Sequence, residues 1–493
     1  MMPSFKLEEA TIADIHAALG RGELTCRALV EAYLARIETI DRAGANLNAI
    51  VTVNPEALAE ADRLDDHFAR TGSFVGSLHG IPVLLKDQIE TAGIATSFGS
   101  SAAAGHIPRR DATAIARLRR HGAIILAKTS MPDWATSWFA YSSRSGETRN
   151  PYALDRDPGG SSSGTAAAIA ANLGAVGVGE DTGGSIRLPA SFCNLVGLKV
   201  TPGLISRTGM SPLVVFQDSA GPMCRTVTDA ALLLDALVGH DSEDPWTATA
   251  AIARPPASYA AALAADGLRG ARIGVLEGVA GAAEDPDAAP VNEVIAAAHA
   301  AMRAAGAELV PLEVPDLMSQ ILYTSLYFAH SRHDINQFLA ARPELGFTLD
   351  TLLAEGRYHP MLDLLEEIGR GPAVPEEEPD YFKKYAAREA FQRQIVNLMA
   401  EHQLEAITFP TVQVVPPTRA SLNAHRWRCL DFPTNTLIAA QTWMPAMTVP
   451  AGFSAAGLPV GIEFLALPYG EPTLFRLGYA FEQVTRHRRP PNV

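Results

Sequence analysis

Three positions in this chain carry groups that could transfer an acyl chain. Lys86 ends the apolar run Gly80-Ile81-Pro82-Val83-Leu84-Leu85, and Ser161 lies in Gly159-Gly160-Ser161-Ser162-Ser163-Gly164. Ser185 lies in Asp181-Thr182-Gly183-Gly184-Ser185-Ile186-Arg187. A serine hydroxyl is a weak nucleophile at neutral pH and needs a base. A lysine closing a buried strand is expensive to keep charged, so its pKa falls and the neutral amine can be that base. The glycines before Ser185 let the backbone N–H groups of Thr182, Gly183, Gly184 and Ser185 converge on a developing oxyanion. Ser161 supplies a hydroxyl that can pass a proton between Ser185 and Lys86.

Each of these groups has a plainer reading. Lys86 can sit in a buried ion pair with Asp87 or Asp181. The glycines and serines at 159–164 have the composition of a tether. That run continues directly into Thr165-Ala166-Ala167-Ala168-Ile169-Ala170, a strong helix former, and a loop at a helix start reads as an ordered site. Lys128 also ends an apolar strand but lacks a glycine-rich partner, so it reads as structural. Ser162 formally centres a G-x-S-x-G elbow, which needs a strand before it. Residues 150–158 are turn chemistry instead. Gly177-Val178-Gly179 lacks the third glycine of a dinucleotide loop. His330 and His333 lack an H-E-x-x-H frame, so a zinc site is not expected.

The elements that must position these groups alternate irregularly. Helices are expected over 11–70, 112–121, 165–172, 229–237, 291–305, 321–341, 386–402 and 473–485, with another opening at Ile186–Asn194. Strands are expected at 81–85, 123–127, 271–276, 406–409, 446–449 and 460–465. Those at 81–85 and 123–127 are continuous apolar runs, which suggests a sheet covered on both faces. The class is therefore α/β with a mixed central sheet. The stretch Gly371–Asp380, rich in proline and glutamate, reads as a mobile loop without helix or core, either a surface insertion or an active-site lid. Residues 166–178 are the most membrane-like stretch and too short to span a bilayer.

Bulk properties narrow the partners. A net charge of -14 over 493 residues argues against nucleic acid, which demands a basic stripe. With 47% apolar and 19% charged residues, a large core is available. The four cysteines, Cys26, Cys193, Cys224 and Cys429, form no CxxC pair, which fits a reducing cytoplasm. No signal peptide is apparent at Phe5-Lys6-Leu7-Glu8-Glu9.

Taken together, the motifs resemble those of the amidase signature family. The resemblance rests on Lys86-Asp87, Gly159–Gly164 and Gly179–Arg187, and extends from Gly22-Glu23-Leu24-Thr25 to Gly457-Leu458-Pro459-Val460-Gly461. It implies one α/β/α domain around a twisted mixed central sheet over residues 1–493, with a signature core at about 75–230 and a variable substrate region at about 310–445. It also implies a Ser-cisSer-Lys triad of Ser185, Ser161 and Lys86, with a cis Gly160–Ser161 peptide. Amides of Thr182 to Ser185 would line the oxyanion hole, and Asp181 and Arg187 would pair to hold the loop. The implied activity is amide hydrolysis through an acyl-enzyme without a cofactor. Two departures stand out: Glu180, where relatives often carry a small hydroxyl residue, and Gln441-Thr442-Trp443-Met444, where they carry small ones.

Substrate contacts are expected from Trp134, Ala135, Tyr141 and Gly160. Trp134, Trp138, Phe139 and Tyr141 cluster in sequence, Tyr323, Tyr327 and Phe328 share a helix, and Trp427 and Trp443 follow. As a set these aromatics suggest an apolar pocket for aryl or bulky hydrophobic amides, with esters or carbamates as further substrates. The alternative is the family's amidotransferase subunit, which releases ammonia for glutaminyl-tRNA synthesis and needs a partner chain. A small-molecule amide is the expected partner, with no nucleic acid and no membrane.

Overall fold

A strand that is apolar at every position has to be covered on both faces, because successive side chains point to opposite sides. Strands β2 (Pro82–Lys86), β3 (Ile124–Thr129) and β6 (Val176–Asp181) are buried along their whole length. The computed structural model describes residues 5–253 and 258–493. β1 (Ile50–Val53) opens the chain's strands. β4 (Tyr141–Ser142) and β5 (Gly146–Glu147) form a separate hairpin. The others are β7 (Val196–Lys199), β8 (Ser219–Cys224), β9 (Arg272–Leu276), β10 (Glu308–Leu312), β11 (Ala406–Pro410), β12 (Ala446–Phe453) and β13 (Pro459–Leu465).

Eleven of these strands make one sheet in the order β1-β3-β2-β6-β8-β7-β12-β13-β11-β9-β10. β3, β2 and β6 run parallel, as do β11, β9 and β10, and antiparallel pairs join the two groups. The sheet is therefore mixed, as the alternation of elements implies. β2 lies between β3 and β6, so the carboxyl ends of three parallel strands deliver Lys86, Thr129 and Asp181 to one edge of the molecule. Crevices at such ends are where α/β sheets place their chemistry.

Helix Ser163–Ala170 packs behind this edge and is buried at every residue. Its face is made of alanines and a glycine because the backbone of neighbouring strands comes close. A Cβ on Gly164 would stand 2.3 Å from both Ala49 O and Ser130 N. Helices Val227–Leu237 and Glu471–Thr485 pack on the sheet farther along, the latter over β12 and β13.

Three departures from the sequence reading stand out beside the strands it passed over. The span 11–70, expected as helices, also holds β1, while the helix expected over 165–172 forms at Ser163–Ala170 and ends before Asn172, whose φ is +57°, with β6 following. The helix expected over 321–341 is two, Leu317–Tyr323 and Tyr327–Ala340. The break follows Thr324, whose hydroxyl donates to Gln320 O at 2.7 Å while its own carbonyl accepts from Arg388 at 3.1 Å. Residues 371–380, expected to be loose and coreless, contain a turn at Pro375–Glu377 with Pro375 buried. Gly371 O accepts from Arg332 Nη1 at 2.8 Å, so the segment is tied to the helix beneath it.

Because the contact at Gly164 is against backbone, it cannot be relieved by a rotamer change. Gly164→Ala is expected to destabilise the fold by about 1–3 kcal/mol, the usual range for overpacking. The measurement is the denaturant midpoint; a midpoint equal to the parent protein's would contradict the packing described.

Candidate active site

Lys86 is fully buried, and its ammonium group meets three acceptors. Nζ donates to Ser161 Oγ at 2.9 Å, to Glu180 O at 3.1 Å and to the Glu180 carboxylate at 2.9 Å. Burial pulls the Lys86 pKa below its ordinary value, and the Glu180 carboxylate opposes that pull. Neither of the ion pairs considered from the sequence is formed by Lys86. Asp87 instead lies 3.6 Å from Lys128, and Asp181 pairs with Arg187. Lys128 donates to Thr96 Oγ1 at 2.8 Å and to Ile89 O at 2.5 Å, pinning the segment that follows Lys86. Burial lowers its pKa to about 8.

Ser161 follows a cis peptide at Gly160–Ser161. Its loop is docked on the Ser185 loop through backbone: Ser162 N–H donates to Ser185 O at 3.1 Å. The Ser162 hydroxyl, the centre of the formal elbow motif, is spent on Glu180 O at 3.2 Å. Ser185 makes no side-chain hydrogen bond among the described residues and lines a cavity of about 240 Å³.

The segment 182–185 is held like a clasp. Asp181 accepts from Ile186 N–H at 3.1 Å and from Arg187 at 3.0 Å through both oxygens, which ties the two ends of the loop together. Arg187 reaches on to the Glu463 carboxylate of β13. All three side chains are fully buried, and removing one partner of such a group leaves an uncompensated charge. Gly184 has φ +148°, open only to glycine, and a Cβ there would collide with Thr436 Oγ1 at 2.1 Å. Carbonyls on this loop are engaged from outside: Thr182 O by Gln217 at 2.6 Å and Gly183 O by Thr436 at 2.6 Å. Turning the carbonyls outward leaves the amides of Gly183, Gly184 and Ser185 without protein acceptors among the described residues.

Such an arrangement offers a desolvated amine, a hydroxyl beside it, a second hydroxyl facing a cavity and unengaged backbone amides. Comparison with known proteins places this geometry. A family model described as Amidase matches residues 28–475. The chain belongs to the amidase signature family. It is 32% identical to a protein named probable amidase from Arabidopsis thaliana, over 99% of this chain and 92% of that protein. It is 35% identical to the A-type chain of the glutamyl-tRNA(Gln) amidotransferase of Geobacter metallireducens, over 97% and 98% of the two chains. The crystal structure of peptide amidase from Stenotrophomonas maltophilia superposes with a TM-score of 0.85 at 37% identity, covering 99% of each chain.

In this amidase the expected substrate contacts separate. Ala135 lines the Ser185 cavity together with Trp138, Tyr327 and Phe328. Trp134 lies outside that lining, buried and stacked on Phe98 at 5.3 Å. Tyr141 is also buried away from it, donating to Asn423 Oδ1 at 3.0 Å and lining a separate cavity with Phe139 and Trp427. Gly160 packs by its backbone against Ser137 and Trp138. Tyr323 is exposed, at the far end of its short helix. His330 and His333 both face Asp334, at 3.6 and 3.0 Å, which accounts for the pair.

Sequence reasoning missed Gln217 and Arg388. Arg388 is buried without a carboxylate partner among the described residues, and burial lowers its pKa to about 9. It donates to Gln217 Oε1 at 2.6 Å and Gln441 Oε1 at 2.5 Å, and lies over the rings of Phe216 and Trp443. The departure at Gln441-Thr442-Trp443 is therefore the bed for a buried guanidinium, which through Gln217 braces Thr182. The signal was the departure itself, but nothing in it names Arg388.

Asp181→Ala removes the clasp and leaves Arg187 with Glu463 as its remaining carboxylate. The expected loss is about 3–5 kcal/mol of stability, as for breaking a buried pair. Fluorophosphonate labelling of Ser185 is expected to fall with it, and labelling at the parental rate would show that the loop keeps its shape without Asp181.

Proposed function

We propose that this amidase hydrolyses carboxylic amides through an acyl-enzyme on Ser185, with Ser161 as relay and Lys86 as base and then acid. The observation that carries the reading is the 2.9 Å contact between the buried Lys86 Nζ and Ser161 Oγ, behind a serine that opens on an apolar cavity. Ser185 Oγ attacks the carbonyl carbon while its proton passes through Ser161 to Lys86. The amides of Thr182, Gly183, Gly184 and Ser185 receive the oxyanion. On collapse the C–N bond breaks, and the leaving amine takes the proton back along the same hydroxyl. Water then repeats both steps on the ester and frees the acid. The lowered pKa of Lys86 suits this role, since only the neutral amine accepts a proton.

The cavity lining supports one substrate class. Trp138, Leu213, Ile321, Phe328 and Leu437 surround Ser185 and favour aryl or bulky hydrophobic amides, with esters and carbamates open to the same acyl transfer. The likeness to a peptide amidase supports an acyl group larger than a short aliphatic chain. The second reading, a glutamine amidotransferase subunit, is favoured by the curated relatives of that name. It calls for a pocket that holds a polar amide side chain, and the lining described here is mostly apolar. Glutaminase activity or co-purification with a partner chain would favour it. We place the activity in the cytoplasm, on a small-molecule amide, without nucleic acid or membrane. The four cysteines are free and buried, and no helix among the described residues is long and apolar enough to cross a membrane.

Ser185→Ala is expected to abolish turnover. Lys86→Ala is expected to lose several orders of magnitude and, with them, the rise in activity from neutral to alkaline pH. That rise follows because the amine must lose its proton to act, so rate climbs as pH passes its lowered pKa. A Lys86→Ala enzyme with parental rates would remove the base assignment. On a panel of amides, an aryl anilide should be turned over faster than a short aliphatic amide, and the reverse order would refute the substrate class.

A further inference from the structure

Glu180 does more than neutralise Lys86. Its second oxygen, Oε1, lies 3.0 Å from Thr182 Oγ1, and the same hydroxyl lies 2.5 Å from Asp218 Oδ1. A hydroxyl has one proton to donate. It can satisfy one carboxylate, and the other carboxyl must then bring a proton of its own. Glu180 is the one paired with a cation, whereas Asp218 otherwise accepts only from neutral donors, Leu213 N–H at 2.9 Å and Val214 N–H at 3.1 Å, so the extra proton belongs on Asp218. Burial and the neighbouring Glu180 charge both push the Asp218 pKa well above its ordinary value.

Glu180 and Asp218 are 1% and 4% exposed, and the exposure faces a different space from the substrate cavity. Both line a second cavity of about 420 Å³ with Arg207, Met210, Asp334 and Arg342, and it shares no lining residue with the cavity of Ser185. Its charges are already matched: Arg207 with Asp244, Arg342 with Glu90, and His333 with Asp334. On the inner side the groups facing the pair are Lys86, Asp181 with its Arg187, and the Tyr327 hydroxyl.

We propose that Glu180, Thr182 and Asp218 form a proton-exchange chain that sets the charge of Lys86 and opens it to solvent through this rear cavity rather than through the substrate cavity. The chain acts on the reaction only through Lys86 and so rests on the reading of Lys86 as base. In the resting state Lys86 is an ammonium, Glu180 a carboxylate and Asp218 a carboxylic acid donating to Thr182. When Asp218 releases its proton to water, the Thr182 hydroxyl turns to donate to the Asp218 carboxylate. Glu180 Oε2 then takes a proton from Nζ and one N–H bond breaks; the Glu180 carboxyl turns and passes that proton to Thr182 Oγ1 as Thr182 gives its own to Asp218, which leaves a neutral amine facing Ser161, a Glu180 carboxylate and an Asp218 acid. One proton has left for solvent, and its return reverses each step. Glu180 and Asp218 are positioning residues in this scheme, and neither touches substrate.

Two measurements test it. The first is the pH dependence of kcat/KM for the parent enzyme, Glu180→Gln and Asp218→Asn, scaled to active sites counted with a fluorophosphonate probe. Glu180→Gln removes the anion that favours the ammonium, so the acid limb should move to lower pH by about 1–3 units. Asp218→Asn exchanges a neutral acid for a neutral amide and should leave that limb in place. The second is hydrogen exchange at Lys86 Nζ, followed by NMR of enzyme carrying ¹⁵N-lysine, with Ser185 phosphonylated so that the front cavity is blocked. Exchange should persist in the parent and slow by an order of magnitude in Asp218→Asn. An unmoved limb in Glu180→Gln, an equal shift in Asp218→Asn, or exchange indifferent to Asp218 would each overturn the chain. The exchange readout needs no turnover, and the base assignment fails separately, through Lys86→Ala.

Discussion

An ammonium group sealed from water is tolerable only if its charge is balanced and each of its donors is used. Lys86 meets both conditions with three bonds, to Ser161 Oγ, Glu180 O and Glu180 Oε2. Much of the surrounding architecture can be read as what this requires. β2 must lie beside β6 so that the end of one strand meets the end of the other, and Ser161 must arrive from a third direction on a loop whose glycines leave no room for a Cβ. The alanine-rich helix behind that loop is close-packed because the lysine sits at the tip of a strand buried on both faces. A charge there is awkward for the fold, and the same desolvation pulls the pKa of the amine down.

The second demand is rigidity in the loop that precedes Ser185. Donors aimed at a developing charge are effective when they need not be reorganised during the reaction. Here the loop is fixed from both ends by Asp181, from β13 by the Arg187–Glu463 contact, and from above by Gln217 and Thr436. The upper fixings come from outside the glycine-rich motif. Gln217 is held in turn by Arg388, which belongs to the long helix Tyr381–Glu401 of the region that also shapes the cavity. The cavity region and the loop before Ser185 are therefore mechanically joined through a buried cation.

The cavity itself is assembled from distant segments. Ala135 and Trp138 come from the turn after β3, and Tyr327 and Phe328 from the helix that begins after the break at Thr324. Glu378 comes from the proline-rich stretch whose composition suggests a loose loop, and Lys384 from the helix that follows it. Glu378 and Lys384 are hydrogen-bonded to each other at 2.5 Å beside the apolar lining. Two structural facts thus bear on the same pocket: the helix break presents Tyr327 and Phe328 at a helix start, and the proline-rich turn is anchored to the body.

Lys86, Ser161 and Ser185 could be picked out by residue type, flanking glycines and apolar context alone, because those signals are local. The central strands were legible for the same reason: β2, β3, β11 and β13 are largely apolar runs. Strands such as β7, β8 and β10 were not, since β7 and β8 carry glycine, serine or lysine among short apolar stretches and depend on sheet neighbours for their conformation. Local pattern also could not choose the partner of Lys86. Asp87 and Asp181 are adjacent in sequence to the motifs, yet the pleat turns Asp87 toward Lys128 and Asp181 toward Arg187, leaving Glu180 to face the amine. Nor could it tell Trp138, which reaches the cavity, from Trp134, which is packed on Phe98. The candidate groups were written in short motifs; the partner of Lys86 was settled only when β2 and β6 came side by side and brought together two residues 94 apart in the chain, and which aromatic lines the cavity was settled by packing.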